Sequence, residues 1–135
     1  MIQEKCTIYT DAGSRGNPGN SAAACLLLAQ DGSIVDLDAK YLGVMTNNMA
    51  EYEGLLLGLR LAVSHGCKQL VVTMDSELVI KQMKGEYKIK DEKIKLLYNQ
   101  VVGLREQFDE VSFSHVFREQ NKIADKLVNI ILDTK

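Results

Sequence analysis

Lys5 to Leu42 reads KCTIYTDAGSRGNPGNSAAACLLLAQDGSIVDLDAKYL, and the patterning of this stretch decides the fold class. Residues 5 to 10 alternate, with Cys6, Ile8 and Thr10 on one side and Lys5, Thr7 and Tyr9 on the other, the period of two expected of a strand. Asp11 is expected to end this strand, because DAGSRGNPGN gathers glycines, two asparagines and the only proline of the chain into a turn. SAAACLLLA then reads as a buried second strand, and Asp31-Gly32 as a hairpin turn of the primed kind that matches strand twist. A third strand, about Ser33 to Leu42, completes an antiparallel meander. Three strands precede any helix, which argues against the regular β/α alternation of a response-regulator-like domain.

Further along, the pattern changes. From Asn48 a leucine-rich helix runs through Leu55, Leu56, Leu59 and Val63 and stops at His65-Gly66. Gln69 to Met74 is a short apolar strand, and Ser76 is placed to cap a helix that reaches about Lys84 before Gly85. A further helix spans roughly Lys90 to Phe108, a strand Glu110 to Val116, and a last helix Lys122 to Leu132. The predicted order is βββαβααβα. Strands joined through helices pair in parallel, so the expected fold is α/β, a mixed sheet with a hairpin section and a parallel section flanked by helices.

A chain of 135 residues that is 46% hydrophobic is expected to form a single domain over 1–135. Its formal net charge of -2 offers no global attraction to a polyanion, so any nucleic acid must be held locally. Cys6, Cys25 and Cys67 are odd in number, lie among apolar neighbours and form no C-x-x-C pair, the pattern of reduced core thiols. The opening MIQEKCTIYT lacks a basic segment followed by an apolar one, and no apolar run approaches about 20 residues. The expectation is a soluble, unexported, cytoplasmic protein with no membrane contact.

Four widely spaced carboxylates, Asp11, Glu51, Asp75 and Asp125, each sit at a break in an apolar pattern, beside turn or helix-start residues. Magnesium prefers six oxygen ligands and sheds water reluctantly, so protein sites offer it a few carboxylates and leave the rest of the shell to water and phosphate. Each acid also has a structural reading. Asp11 could close an Asx-turn, Glu51 could complete a capping box with Asn48, Asp75 could answer a helix dipole, and Asp125 could be a solvated acid. In the expected topology, however, Asp11 and Asp75 end neighbouring strands on one edge, and Glu51 begins the next helix. Like charges held close either raise a pKa or recruit a cation.

TDAGSRGNPG, TNNMAE, TMDSELV and REQNKIADKL occur in this order over nearly the whole chain and resemble the four signature segments of type 1 ribonuclease H. The resemblance implies a five-stranded sheet and hydrolysis of the RNA strand of RNA/DNA hybrids, leaving 3'-hydroxyl and 5'-phosphate ends. It implies two Mg2+ ions, with Mn2+ as a possible substitute, on Asp11, Glu51, Asp75 and Asp125 as the metal-binding and catalytic quartet. A catalytically silent nucleic-acid-binding module and another nuclease on the same fold remain the alternatives.

By the same resemblance, Asn17, Asn47 and Asn48 match minor-groove contacts to the hybrid, where the 2'-hydroxyl separates RNA from DNA. The chain departs from better-known members in three places. Arg118 stands in the short loop where a mobile histidine is expected, and is read as a catalytic aid that cannot exchange protons. Glu77 replaces an amide after D-S, and Asp91 replaces an asparagine of a DNA-phosphate pocket. No basic helical handle fits between the helices, which points to the compact subgroup. Lys84, Lys88 and Lys90 in KQMKGEYKIKDEKIK are the expected phosphate track, and the protein is expected to be monomeric.

Overall fold

The computed structural model describes residues 4–135. The expectation of an absent leader falls partly on residues 1–3, outside the described residues. The elements are β1 (Lys5–Gly16), β2 (Gly19–Ala29), β3 (Ile34–Met45), α1 (Asn47–Ser64), β4 (Gln69–Met74), α2 (Glu77–Met83), α3 (Glu92–Arg105), β5 (Glu110–His115) and α4 (Lys122–Asp133), with a 3-10 turn at Arg118–Gln120 before α4. The five strands form one sheet in the order β3-β2-β1-β4-β5. β1 pairs antiparallel with β2 and β2 with β3, whereas β4 lies parallel to both β1 and β5. The expected element order and mixed sheet are therefore those observed. Among the described residues no helix is long and apolar enough to cross a membrane.

The glycine-rich segment differs from its expectation. Asp11 does not end β1, because Ala12, Gly13 and Ser14 go on pairing with Ala23, Ala22 and Ser21. Only Asn17 and Pro18, joined by a cis peptide bond, lie between the paired Gly16 and Gly19. Small residues on both arms carry the pairing through to Gly16 and Gly19 where a turn-rich composition suggested a loop. Asp11 is consequently held inside the central strand, opposite Ala24.

The main core lies between the sheet and α1, α2 and α3, around Ile8, Leu55, Leu59, Val72 and Val101. A smaller apolar cluster joins Ala22 and Ala24 to Ala124, Val128 and Leu132 of α4 on the other face. Two glycines set how closely α1 approaches the sheet. A Cβ on Gly58 would stand 2.8 Å from Thr10 Cγ2 and 2.9 Å from Ile8 Cδ1, and one on Gly54 would stand 3.2 Å from the Asp11 carbonyl oxygen. Glu51, Gly54 and Gly58 follow a three-then-four spacing, so they share the face of α1 turned toward β1.

Two local expectations are corrected. The N-cap of α1 is Thr46, whose side chain accepts from the Met49 N–H at 3.3 Å, so Asn48 lies inside the helix and the Asn48-x-x-Glu51 capping box does not form. Cys6 and Cys67 are joined by a disulfide, and only Cys25 is a free thiol among the described residues. Sixty-one residues separate the pair in sequence. Parallel pairing of β1 with β4 sets Cys6 beside Leu70, which brings the segment leading into β4 back to the start of β1. Burial pushes the Cys25 thiol up to about 12, which removes it from nucleophilic chemistry. His65 is the C-cap of α1 and bonds Asp36 at 2.8 Å, a structural role.

Candidate active site

Asp11, in the middle of β1, and Glu51, in the second turn of α1, are each 6% exposed. Asp75 follows the last residue of β4 and is half-buried. One carboxylate oxygen from each of these three residues lies within 4.8 Å of the other two. Asp125, in the first turn of α4, lines the same cleft of about 340 Å³ without belonging to that closest group. Ser14, Arg15, Asn47, Arg118 and Asn129 also line it.

Electrostatics follow from this crowding. Burial first, then the charges of Asp75 and Asp125, raises the Asp11 pKa from 3.8 to about 8. Glu51 is pushed well above its ordinary value by burial and then by Asp11 and Asp75. Asp75 is raised by burial, opposed by a hydrogen bond from Asn121 and by the Arg118 charge. Glu51 Oε2 is buried with no hydrogen-bond partner. Leaving such an oxygen unsatisfied is costly, and a bound cation would supply the missing partner. An all-oxygen set of carboxylates fits a hard divalent ion such as Mg2+ or Mn2+.

The structural readings of the acids fare differently. Glu51 has no capping duty, since Thr46 takes it. Ser76 caps α2 as expected, its hydroxyl accepting from the Val79 N–H at 3.4 Å. Asp125 is not a free surface acid. Arg118 Nη2 donates to its Oδ1 at 3.3 Å.

The polar residues around the acids divide into two groups. Asn17, at the hairpin turn, accepts from the Asn47 N–H at 3.0 Å, which ties the turn to the start of α1 beside the cleft. Asn48 lines a neighbouring pocket with Thr46, Asp91 and Lys93, which none of the four acids lines. Asp91 is the N-cap of α3, accepting from the Lys93 and Ile94 N–H groups at 2.8 and 3.1 Å, which accounts for a carboxylate at that position. Glu77 is exposed and paired with Lys81 at 2.8 Å. Lys84, Lys88 and Lys90 are exposed on the connection from α2 to α3, carry no ion pair among the described residues and lie outside the acidic cleft.

Two residues that line the cleft, Arg15 and Ser14, and one beside its acids, Asn121, carried no assignment in the sequence reading. Arg15 reaches across to α4, bonding Asp133 at 2.5 Å and Asn129 at 3.4 Å. Ser14 shares a 2.6 Å hydrogen bond with Ser21 across the hairpin. Asn121, fourth before Asp125, is 2% exposed. Its place in the N-x-x-A-D segment was visible, but nothing in the sequence indicated where its side chain would turn.

A central strand carrying one acid, an adjacent parallel strand ending beside a second, and a helix from each face supplying the others define a ribonuclease H-like domain. Comparison agrees. The family described as Reverse transcriptase-like matches residues 9–130. The Bifunctional protein Rv2228c of Mycobacterium tuberculosis is 41% identical over 130 residues, 96% of this chain but 36% of its own length, so the chain spans about a third of that relative. The crystal structure of RNase H1 from the halophilic archaeon Halobacterium salinarum superposes with a TM-score of 0.94 at 36% identity, covering 97% of this chain and 99% of that one. LC11-RNase H1, solved in complex with an RNA/DNA hybrid, gives a TM-score of 0.91 at 34% identity over 96% of this chain and 97% of its own. The chain belongs to the type 1 ribonuclease H family, in its compact form.

Proposed function

We propose that this protein is an endoribonuclease that hydrolyses the RNA strand of RNA/DNA hybrids and leaves 3'-hydroxyl and 5'-phosphate ends. The observation that carries the reading is the meeting of Asp11, Glu51 and Asp75 within 4.8 Å, with Asp125 in the same cleft. These four would hold two Mg2+ ions, replaceable by Mn2+, which when bound supply an activated water and stabilisation of the leaving oxygen. The protein's part is to hold four carboxylates close together against their own repulsion and to keep the backbone around them rigid. No side chain needs to act as nucleophile.

Around that centre, Asn17 and Asn47 are joined in one hydrogen-bonded unit at the cleft edge, suited to reading 2'-hydroxyls of the RNA strand. Arg118 sits against Asp125, where its fixed charge would steady phosphate negative charge. Asn48 belongs to a second contact region beside the α3 N-terminus, and Lys84, Lys88 and Lys90 form a distal phosphate track. The chain acts as a single catalytic domain and a monomer in this reading. A cytoplasmic site of action belongs to the same reading, with which the Cys6–Cys67 disulfide is compatible because both residues, 4% and 3% exposed, are shielded from exchange with a thiol pool.

The test is incubation of purified protein with labelled RNA/DNA, RNA/RNA and DNA/DNA duplexes in Mg2+, Mn2+ or chelator. Metal-dependent cutting of the hybrid's RNA strand is expected. Binding without cutting would make the protein a silent module, and cutting of DNA/DNA alone would make it another nuclease on this fold.

A further inference from the structure

Asn121 stands at the N-cap of α4, where an asparagine ordinarily turns its side-chain oxygen to an N–H of the first turn. Here no such bond forms. The side chain turns away from its own helix, is almost fully buried, and donates from Nδ2 to the Thr10 carbonyl at 2.8 Å and to Asp75 Oδ2 at 3.5 Å. Thr10 immediately precedes Asp11 in β1. The Asn121 backbone carbonyl in turn accepts from the Asp125 N–H at 3.1 Å. One residue thus touches the strand that carries Asp11, the carboxylate of Asp75 and the backbone of Asp125, three acids delivered by three separate elements. Its Oδ1 is buried and unpartnered, so the orientation of the amide is set by its two donor contacts alone.

A local rule broken at a buried polar residue calls for a compensating gain elsewhere. We propose that Asn121 is a positioning residue for the metal centre, fixing the separation of Asp11, Asp75 and Asp125 and the direction of the Asp75 carboxylate. It does not touch metal or substrate. Residues behind a ligand that orient it commonly change metal affinity ten- to a hundred-fold when altered. The inference rests on the acids being the metal ligands, as in the proposed function.

The test is calorimetric titration of Mn2+ into the protein without nucleic acid, for wild type, Asn121→Ser and Val101→Ala. Serine can cap α4 in the ordinary way but is too short to span to Thr10 and Asp75, so the helix is preserved while the tie is cut. Val101→Ala opens the core at α3, among residues that do not line the cleft, and controls for lost stability. The expected result is a Kd for Mn2+ at least about ten-fold weaker in Asn121→Ser and unchanged in Val101→Ala. Equal affinity in Asn121→Ser and wild type would overturn the positioning role and leave the metal reading intact, whereas no Mn2+ uptake by wild type would overturn the metal reading itself. Should Asn121→Ser not fold, the wild-type Asn121 side-chain amide resonance decides the matter. It is expected to move during Mg2+ titration with the affinity of the acids, and a resonance that stays still through saturation contradicts the proposal.

Discussion

Arg118 Nη2 lies 3.3 Å from Asp125 Oδ1, so a guanidinium is held against the acid of α4 at the cleft where the other three acids meet. The Arg118 side chain is 76% exposed, and this pairing contributes little to stability, because solvent screens an ion pair so open to water. Its charge also lowers the Asp75 pKa, against the upward pull of burial. The pair is better understood as part of the cleft's charge balance than as a fold support.

Arg118→Ala is therefore expected to leave the melting temperature within a degree or two while slowing turnover. A lost charge-assisted hydrogen bond of about 1.5–3 kcal/mol in the transition state corresponds to roughly ten- to a hundred-fold in rate. The drop should fall on kcat more than on KM. Steady-state kinetics on a defined hybrid check this, and an unchanged kcat would reduce Arg118 to a surface pair.

The closeness of α1 to β1 makes a second expectation. Gly58→Ala introduces a methyl group against Thr10 Cγ2 and Ile8 Cδ1, and should cost about 1–3 kcal/mol through overpacking, partly offset by alanine's helix preference. Because Glu51 rides on the same helix face, metal binding should weaken with it. Gly103, exposed on α3 with open space around its Cα, is the control. Gly103→Ala should stabilise by up to about 1 kcal/mol and leave metal binding alone. Denaturant melts with and without Mn2+ measure both effects.

The stability of the metal-free protein should depend on pH in a definite sense. Asp11 is raised from 3.8 to about 8, and Glu51 and Asp75 are raised as well, so the folded state holds protons that the unfolded state releases. Their contribution to stability is fully present below the ordinary carboxylate range and is lost as pH rises through the window from 3.8 toward about 8. Divalent metal held by the deprotonated acids of the folded state, as proposed, would oppose this loss. Melting in chelator and in excess Mg2+ should give a gap that widens with rising pH across that window, and a gap independent of pH would contradict the crowding of the acids.

Much of this arrangement was legible before any coordinates. The meander from Lys5 onward, the parallel return at Gln69 and the placement of Asp75 after β4 and of Asp125 in the first turn of α4 follow from hydrophobic period and turn chemistry, which are local signals. The misreadings share one cause, competition between local preference and distant pairing. DAGSRGNPGN has the composition of a turn, yet β2 pairs with it up to Gly16, which places Asp11 inside a strand. Asn48 has the better-known capping pattern, but the cap is Thr46, two residues earlier, and the Asn47 N–H that follows it donates to Asn17 Oδ1 of the distant hairpin turn. Cys6 and Cys67 become neighbours only through the parallel register of β1 and β4. Asn121 looks like an ordinary cap until its side chain is seen to leave its helix for Thr10 and Asp75.

Cleavage of a labelled RNA/DNA hybrid by Asp11→Asn and Asp75→Asn, followed beside wild type in Mg2+, tests the central claim most directly. Each substitution replaces a charged oxygen donor by a neutral amide of nearly the same shape, and each removes a repelling charge from the metal-free cluster. The account predicts that wild type cuts the RNA strand, that both variants lose this activity by at least about a thousand-fold, and that their melting temperatures in chelator hold or rise. Near-wild-type cleavage by either variant would contradict it.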